Sequence, residues 1–356
     1  MNDTAHSSPI VITGGAGFIG SNLAASFARD GYSVVLVDDF SRSGVERNWH
    51  WLHAQFGNQI TLERNDIRDL TMAQRLVSDA VAVFHLAAQV AVTDSLDDPV
   101  HDFDINLRGT IIWLEAIRHV SRPVPFIFAS TNKVYGPLAD VLLEKESEGW
   151  VPCDRSLRQN GIDERRPLDF QTPYGCSKGG AEQYVLDYSR HFSCLTTVLR
   201  MSCVYGPRQW GTEDQGWLAH FASAMLRGDT ITLYGDGRQM RDVLFIDDAV
   251  HCYRRALDEI ATCNGSAFNL GGGPENCVSL LTVLNQLEHA IGASARIDYA
   301  PWRAGDQRWY ASNSNVIRTA LSLPRPKSWR QGLTDLADWI RADQANRDAE
   351  GMRSCA

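Results

Sequence analysis

The sequence predicts an α/β fold: a doubly wound parallel sheet with a smaller mixed α/β substrate-binding lobe. Three observations predict it. Short apolar runs that read as strands alternate with helical stretches from Pro9 to Leu199. The first run leads into Gly14-Gly-Ala-Gly17-Phe-Ile-Gly20, followed by a helix. The second run ends in an acidic pair, Asp38-Asp39. Together these are the parts of a Rossmann-type dinucleotide site.

The elements follow in order. Pro9 to Thr13 is a short buried strand. Gly14, Gly17 and Gly20 let the backbone turn tightly and let a pyrophosphate approach the next helix, Ser21 to Arg29. Phe18 and Ile19 lie inside that turn. The second strand, Ser33 to Val37, delivers Asp38 to the adenosine ribose hydroxyls, with Asp39 beside it. A carboxylate there repels a ribose phosphate, so the spacing favours NAD over NADP. Arg42 pulls weakly the other way.

Gln59 to Glu63 reads as a strand, followed by Asn65 to Arg68. Val81 to Ala88 is an apolar strand ending in small residues, against which a cofactor can lie; His85 within it reads as a packed strand residue. A helix is expected from Asn106 to His119. The fifth strand, Pro125 to Ala129, delivers Ser130 to Gly136 at its carboxyl end, where ligands bind in open α/β sheets. The sixth, Leu195 to Leu199, delivers Arg200 to Gly206.

Between them lies a helix from Tyr174 to about Arg190, with Pro173 at its entrance. Tyr174 and Lys178 stand at i and i+4, on one face. An ammonium that close is expected to lower a phenol pKa that is near 10 in water. A tyrosine so tuned can take a proton from a sugar or alcohol hydroxyl. The spacing alone is common in helices; its place after the nucleotide elements gives it meaning.

After Gly206 the alternation stops. A helix is expected over Asp214 to Gly228, a strand over Thr230 to Tyr234, and a return to the sheet at Ser266 to Leu270. Helices at Ser279 to Ile291 and Asp335 to Ala345 follow. Residues 1–200 and 238–272 form the expected cofactor domain, 201–237 and 273–345 the substrate lobe, and 346–356 a polar tail.

Composition bounds the function. The 356 residues are 44% hydrophobic and 22% charged, ordinary for a soluble globular protein. A net charge of -9 argues against nucleic-acid or anionic-membrane partners. An anionic substrate then needs a local basic pocket. Eight cysteines without a Cys-x-x-Cys pair read as reduced thiols of a cytoplasmic protein, with no metal site. The polar start, Met1 to Ser8, predicts no signal peptide, and no apolar run is long enough to span a bilayer.

Gly14 to Gly20, Asp38, His85-Leu-Ala-Ala88, Ser130-Thr131, Tyr174-x-x-x-Lys178 and Arg241-Asp242 resemble the extended short-chain dehydrogenase/reductase superfamily, and more narrowly its nucleotide-sugar epimerases. Thr131-Asn-Lys-Val-Tyr-Gly136, Pro173 to Gly179, Tyr205-Gly-Pro-Arg-Gln209, Asp214 to Trp217 and Gly235 to Val243 resemble the CDP-paratose (CDP-tyvelose) 2-epimerases among them.

The resemblance implies roles. Thr131, Tyr174 and Lys178 would be catalytic. Asp66 and Ile67 would edge the adenine, and Leu86, Ala87, Ala88 and Gln89 would flank the cofactor. Asn106 would support the catalytic wall, and Ser130 and Met201 would join the cofactor set. Asn132, Lys133, Ser202, Cys203, Arg208, Gln209, Gln215, Arg241 and Arg303 would meet the substrate. The arginines suit its diphosphate because the planar guanidinium matches phosphate oxygens. Trp210, Trp217 and Trp302 would pack the core or stack on a base.

The implied reaction oxidises a ring carbon of a nucleotide-diphosphate sugar, a CDP-sugar being favoured, and returns the hydride to the other face. The carbon would be C2 for the narrow resemblance and C4 for the broad one. The implied assembly is a homodimer or homotetramer. Another NAD-dependent sugar-nucleotide enzyme, a 4-epimerase, decarboxylase or 4,6-dehydratase, is the alternative. The dehydratases carry Asp-Glu after the catalytic threonine, where this chain has Asn132 and Lys133, and decarboxylases carry Glu where Lys133 stands. The chain also departs from related epimerases at Ser202-Cys203 and in having Pro207 before Arg208.

Overall fold

The computed structural model describes residues 8–303 and 305–354. Its first half is a run of βα units. Strand β1 (Ile10–Thr13) leads into helix α1 (Phe18–Arg29), β2 (Val34–Val37) into α2 (Val45–Phe56), and β3 (Ile60–Glu63) into α3 (Leu70–Asp79). Strand β4 (Ala82–His85) is followed by short helices α4 (Val92–Asp97) and α5 (Pro99–Phe103). A π-helical turn, Asp104–Arg108, then joins α6 (Gly109–Arg118), where the sequence predicts one continuous helix from Asn106.

Strand β5 (Phe126–Thr131) precedes a small hairpin of β6 (Leu143–Lys145) and β7 (Trp150–Pro152), then α7 (Arg155–Asn160). Helix α8 (Thr172–Phe192) leads to β8 (Thr196–Met201). Thr172 at its entrance holds φ 63°, uncommon for a β-branched residue, and its Oγ1 accepts from Gly175 N. The rest comprises β9 (Cys203–Tyr205), α9 (Trp217–Arg227), β10 (Thr230–Tyr234), β11 (Met240–Phe245), α10 (Ile246–Asp258), α11 (Ile260–Cys263) and β12 (Ser266–Leu270). After these come β13 (Cys277–Ser279), α12 (Leu280–Ile291), β14 (Arg296–Ala300), β15 (Trp309–Tyr310), α13 (Asn315–Ala320) and α14 (Trp329–Ser354).

Seven strands form one parallel sheet, ordered β12-β8-β5-β4-β1-β2-β3. Its alternation sorts the core. Ile10 and Ile12 of β1 pack with Leu23 of α1 and Tyr253 of α10 on one face. Val11, between them, packs on the other with Trp113 of α6 and Val185 of α8. Both faces are covered, so the strands read as apolar runs.

The smaller lobe pairs β10 with β14 in parallel, and β11 with β9, β13 and β15. The sequence groups 238–272 with the cofactor domain. Within that stretch β12 and α10 pack on the large sheet, whereas β11 builds the smaller one. Helix α14 continues to Ser354, through residues the sequence reads as a tail. No helix among the described residues is long and apolar enough to cross a membrane. Seven described cysteines are free thiols.

Candidate active site

The cofactor cradle forms where β1 ends. Gly14 sits at φ 65°, and a Cβ there would lie 2.8 Å from Ala87 N. Only glycine lets the turn approach the end of β4 so closely. Helix α1 starts at Gly17 with no side-chain cap, leaving its first N–H groups for a ligand. Asp38 closes the far side: Oδ2 accepts from Ala16 N and Oδ1 from Phe40 N, both at 3.0 Å. Burial pushes its pKa up against these bonds. The uncapped helix and the glycine contact fit a dinucleotide pyrophosphate.

The neighbouring predicted residues line up along the same strand ends. Leu86 N donates to Thr13 O at 3.1 Å, and Ala87 N to Thr13 Oγ1 at 3.2 Å. Ala88 follows them beyond β4, and Phe18 and Ile19 pack partly buried against the core. Gln89 Nε2 donates to Ala91 O, leaving Oε1 buried without a partner among the described residues. Asp39 Oδ1 accepts from Ser41 N. Asp66 is held by Arg68 at 2.6 Å, and Ile67 O accepts from Trp113 Nε1. His85 is fully buried between Thr13 and Thr110, its pKa pushed down to about 3, and serves as a packed strand residue.

Thr131, Tyr174 and Lys178 meet beside this cradle. Thr131 ends β5, and the other two stand one turn apart on α8. The Thr131 hydroxyl faces the Tyr174 phenol and favours its ionised form. Lys178 is 2% exposed, with Nζ 4.2 Å above the Phe128 ring and no hydrogen bond among the described residues.

The electrostatics differ from the sequence expectation. Burial pushes the Tyr174 phenol up to about 12, and Lys178 is not among the groups acting on it. Burial also pushes the Lys178 ammonium down to about 7, opposed by Asp102 and Glu182. Spacing places the two groups on one face but does not set the dielectric around them.

Beneath the pair runs a polar layer in which the predicted Asn106 and Ser130 meet Asp102, Ser177 and Glu182, which the sequence reading missed. Asn106, in the π-helical turn, donates from Nδ2 to Gln89 O, Asp102 Oδ1 and Ser177 Oγ. Ser130 donates to Glu182 Oε2 at 2.7 Å, so its hydroxyl serves α8. Glu182 in turn holds Arg200 at 2.5 Å, and Arg200 reaches Tyr135 at 2.8 Å. Glu182 lies four residues after Lys178, the one local signal that could have found it.

The predicted substrate residues divide into three groups. Lys133 and Arg241 share Asp306 Oδ1, at 3.9 and 2.5 Å, with the Cys203 thiol among the groups acting on Lys133. Asn132 Nδ2 reaches Gln307 Oε1 at 3.3 Å; Ser202 Oγ is buried without a partner. Met201, predicted for the cofactor and not the substrate, ends β8 and accepts from the Tyr253 hydroxyl. A second group gathers Arg303 over the Tyr234 ring at 3.8 Å and against Asp214 at 3.0 Å, next to Gln215. Gln209 donates to Val204 O, leaving its Oε1 buried and unpaired.

Arg208 stands apart. Its guanidinium lies 4.0 Å from the Trp51 ring and 5.6 Å from Trp339, at φ 72°. Its guanidinium thus packs between α2 and α14. Trp210 joins the same packing, against Trp339 and Asn48. Trp302 lies against Gly235, and Trp217 packs on Phe221.

Residues 10–271 match the model of a family described as the NAD dependent epimerase/dehydratase family. The chain is 39% identical over 337 residues to CDP-paratose 2-epimerase of Salmonella typhi, covering 93% of this chain and 98% of that one. It is 30% identical to UDP-glucose 4-epimerase of Mycolicibacterium smegmatis, covering 93% and 98%. Among solved structures it resembles the Thermotoga maritima UDP-glucose 4-epimerase with UDP-glucose, at TM-score 0.80 and 29% identity over 94% and 99% of the chains. A similar likeness holds for UDP-glucuronic acid 4-epimerase from Bacillus cereus in complex with UDP-glucuronic acid and NAD, at TM-score 0.80 and 28% identity over the same shares.

Proposed function

The chain belongs to the NAD dependent epimerase/dehydratase family, and from that premise we propose that it is a nucleotide-sugar epimerase acting on a CDP-sugar. NAD is its cofactor. The observation that carries the reading is the meeting of Thr131, Tyr174 and Lys178 at the strand ends that also hold the glycine turn.

Gly14, Gly17, Gly20 and Asp38 would hold the cofactor, which when bound supplies the hydride acceptor and then the donor. Thr131 and Tyr174 bind the substrate hydroxyl, and Tyr174 takes its proton as the ring carbon loses a hydride. The resulting ketosugar turns in the cleft. The carbonyl carbon then regains a hydride on its other face while Tyr174 returns the proton to oxygen. Lys178, one turn further along α8, would hold the nicotinamide ribose, and the Thr131 hydroxyl is the group that favours the phenolate. Lys133, Arg241 and Arg303 are the cations offered to the diphosphate.

The 39% likeness to a CDP-sugar enzyme supports cytidine as the base and C2 as the carbon. Asn132 and Lys133 supply no carboxylic acid/base pair after Thr131, which speaks against dehydration. The family resemblance supports a homodimer or homotetramer; a monomer mass by light scattering would overturn that.

Incubation with CDP-, UDP-, GDP- and dTDP-sugars in deuterated water, followed by NMR, tests the reading. The expected result is fastest epimerisation of a CDP-sugar, with no solvent deuterium at the inverted carbon. Steady NADH accumulation without an epimer would instead make the protein a dehydrogenase.

A further inference from the structure

Asp102 is fully buried on α5, and neither its place in the sequence nor any motif marks it. Its carboxylate accepts from Ser177 Oγ, and from Asn106 Nδ2 at 3.0 Å. The same hydroxyl lies 3.2 Å from Tyr174 O, inside the turn that separates Tyr174 from Lys178, so its single proton is shared between that carbonyl and Asp102. The Asn106 amide is fixed by the same contact: its Nδ2 side faces three acceptors, and Oδ1 is left buried without a partner. One carboxylate thus orients both supports of the catalytic helix.

We propose that Asp102 is a positioning residue that supplies the counter-charge of Lys178, keeping it an ammonium in a dry cleft. This rests on the reading of Tyr174 and Lys178 as the catalytic pair.

A count of the charges around Lys178 leads to Asp102. Glu182, the other carboxylate acting on Lys178, is already held by Arg200 at 2.5 Å. His85 of β4 is buried and neutral, and β5 presents the Phe128 ring. Among the further elements packed on α8, Asp104 pairs with Arg68 and Arg108, and Glu115 with Arg118. Asp94 of α4 acts on Arg42, and Lys133 on Asp306; His101 acts on Asp102 itself. Of the two carboxylates acting on Lys178, Asp102 is the one with no salt bridge among the described residues. Its bonds to Ser177 and Asn106 favour the ionised form against the burial that opposes it. The same negative charge makes Tyr174 harder to ionise, so the loss of Asp102 moves both groups toward lower pH.

The chain has only four lysines, Lys133, Lys145, Lys178 and Lys327, so a spectrum labelled at lysine 13Cε carries four signals. In NAD-loaded protein, Lys178→Arg identifies the signal of Lys178. Asp102→Asn should lower its titration midpoint by on the order of one pH unit. Asp102→Ser is the second neutral variant should the amide disturb folding. Where the parent turns over a sugar, the alkaline limb of its pH–rate profile should fall in step. A folded, NAD-retaining variant with an unmoved Lys178 midpoint would overturn the proposal. The titration needs no substrate, so a parent inactive on every sugar would sink the epimerase reading and leave this test standing.

Discussion

Tyr174 is half-buried at the mouth of α8, and its phenol is the group proposed to exchange a proton with a hydroxyl beside Thr131. Tyr174→Phe keeps the ring and deletes that function. Turnover should fall on the order of 10²–10⁴-fold while NAD retention and the fold persist. A folded, NAD-loaded variant with parental turnover would remove the central assignment. Thr131→Val should cost less, because Thr131 shares the proton and does not keep it. Asp38→Ala should release NAD more readily, read by absorbance after gel filtration. The variant loses both the ribose acceptor and the bonds that close the turn at Ala16 and Phe40. The one-turn spacing of Tyr174 and Lys178 and the place of Asp38 at the end of β2 were legible in the sequence. The protonation of the pair was not, since burial raises one pKa to about 12 and lowers the other to about 7.

Helix α8 carries the site, and its placement depends on small residues. A Cβ on Gly179 would meet the Phe170 ring within 2.6 Å at three atoms. Phe170 precedes the strained entrance at Thr172 and cannot retreat freely. Gly179→Ala should therefore push α8 away from Phe170, lowering stability by about 1–3 kcal/mol despite alanine's better helix propensity. A raised or unchanged melting temperature would show that Phe170 yields. The π-helical turn at Asp104–Arg108 is the second element that matters. It aims Asn106 at Gln89 and Ser177, a use of such turns that recurs at functional sites. A helical pattern in the sequence locates such a segment but not the extra residue in its turn.

Across the whole molecule, Asp242 ties the smaller sheet to the large one. From β11 it accepts from Gly272 N at 2.7 Å and Gly273 N at 3.1 Å, just past β12, and from Ser312 N at 2.8 Å. Burial raises its pKa from 3.8 to about 6. A raised folded pKa means the native state binds the proton more tightly. The stability this contributes is fully present below about pH 4 and is lost as pH rises through 6. Asp242→Asn removes that dependence. The stability difference between parent and variant should change on the order of 3 kcal/mol between pH 4 and 7, read from urea unfolding. A constant difference would mean Asp242 does not titrate in this window.

The sequence by itself determined the seven-stranded order of βα units, the glycine turn, the acidic end of β2 and the one-turn spacing of Tyr174 and Lys178. Each is a local pattern, fixed by strand and helix periods and by the backbone freedom of glycine. Only the tertiary structure decided the partners that lie far apart in the chain. Asp102 and Ser177 are 75 residues apart, and Arg241 and Asp306 are 65 apart. Arg208 shows the same limit: its motif suggested a phosphate, and only the packing of α2 and α14 placed two tryptophans against it. Such contacts depend on how whole elements pack, and on the loss of water that follows, and neither has a period that a sequence can display.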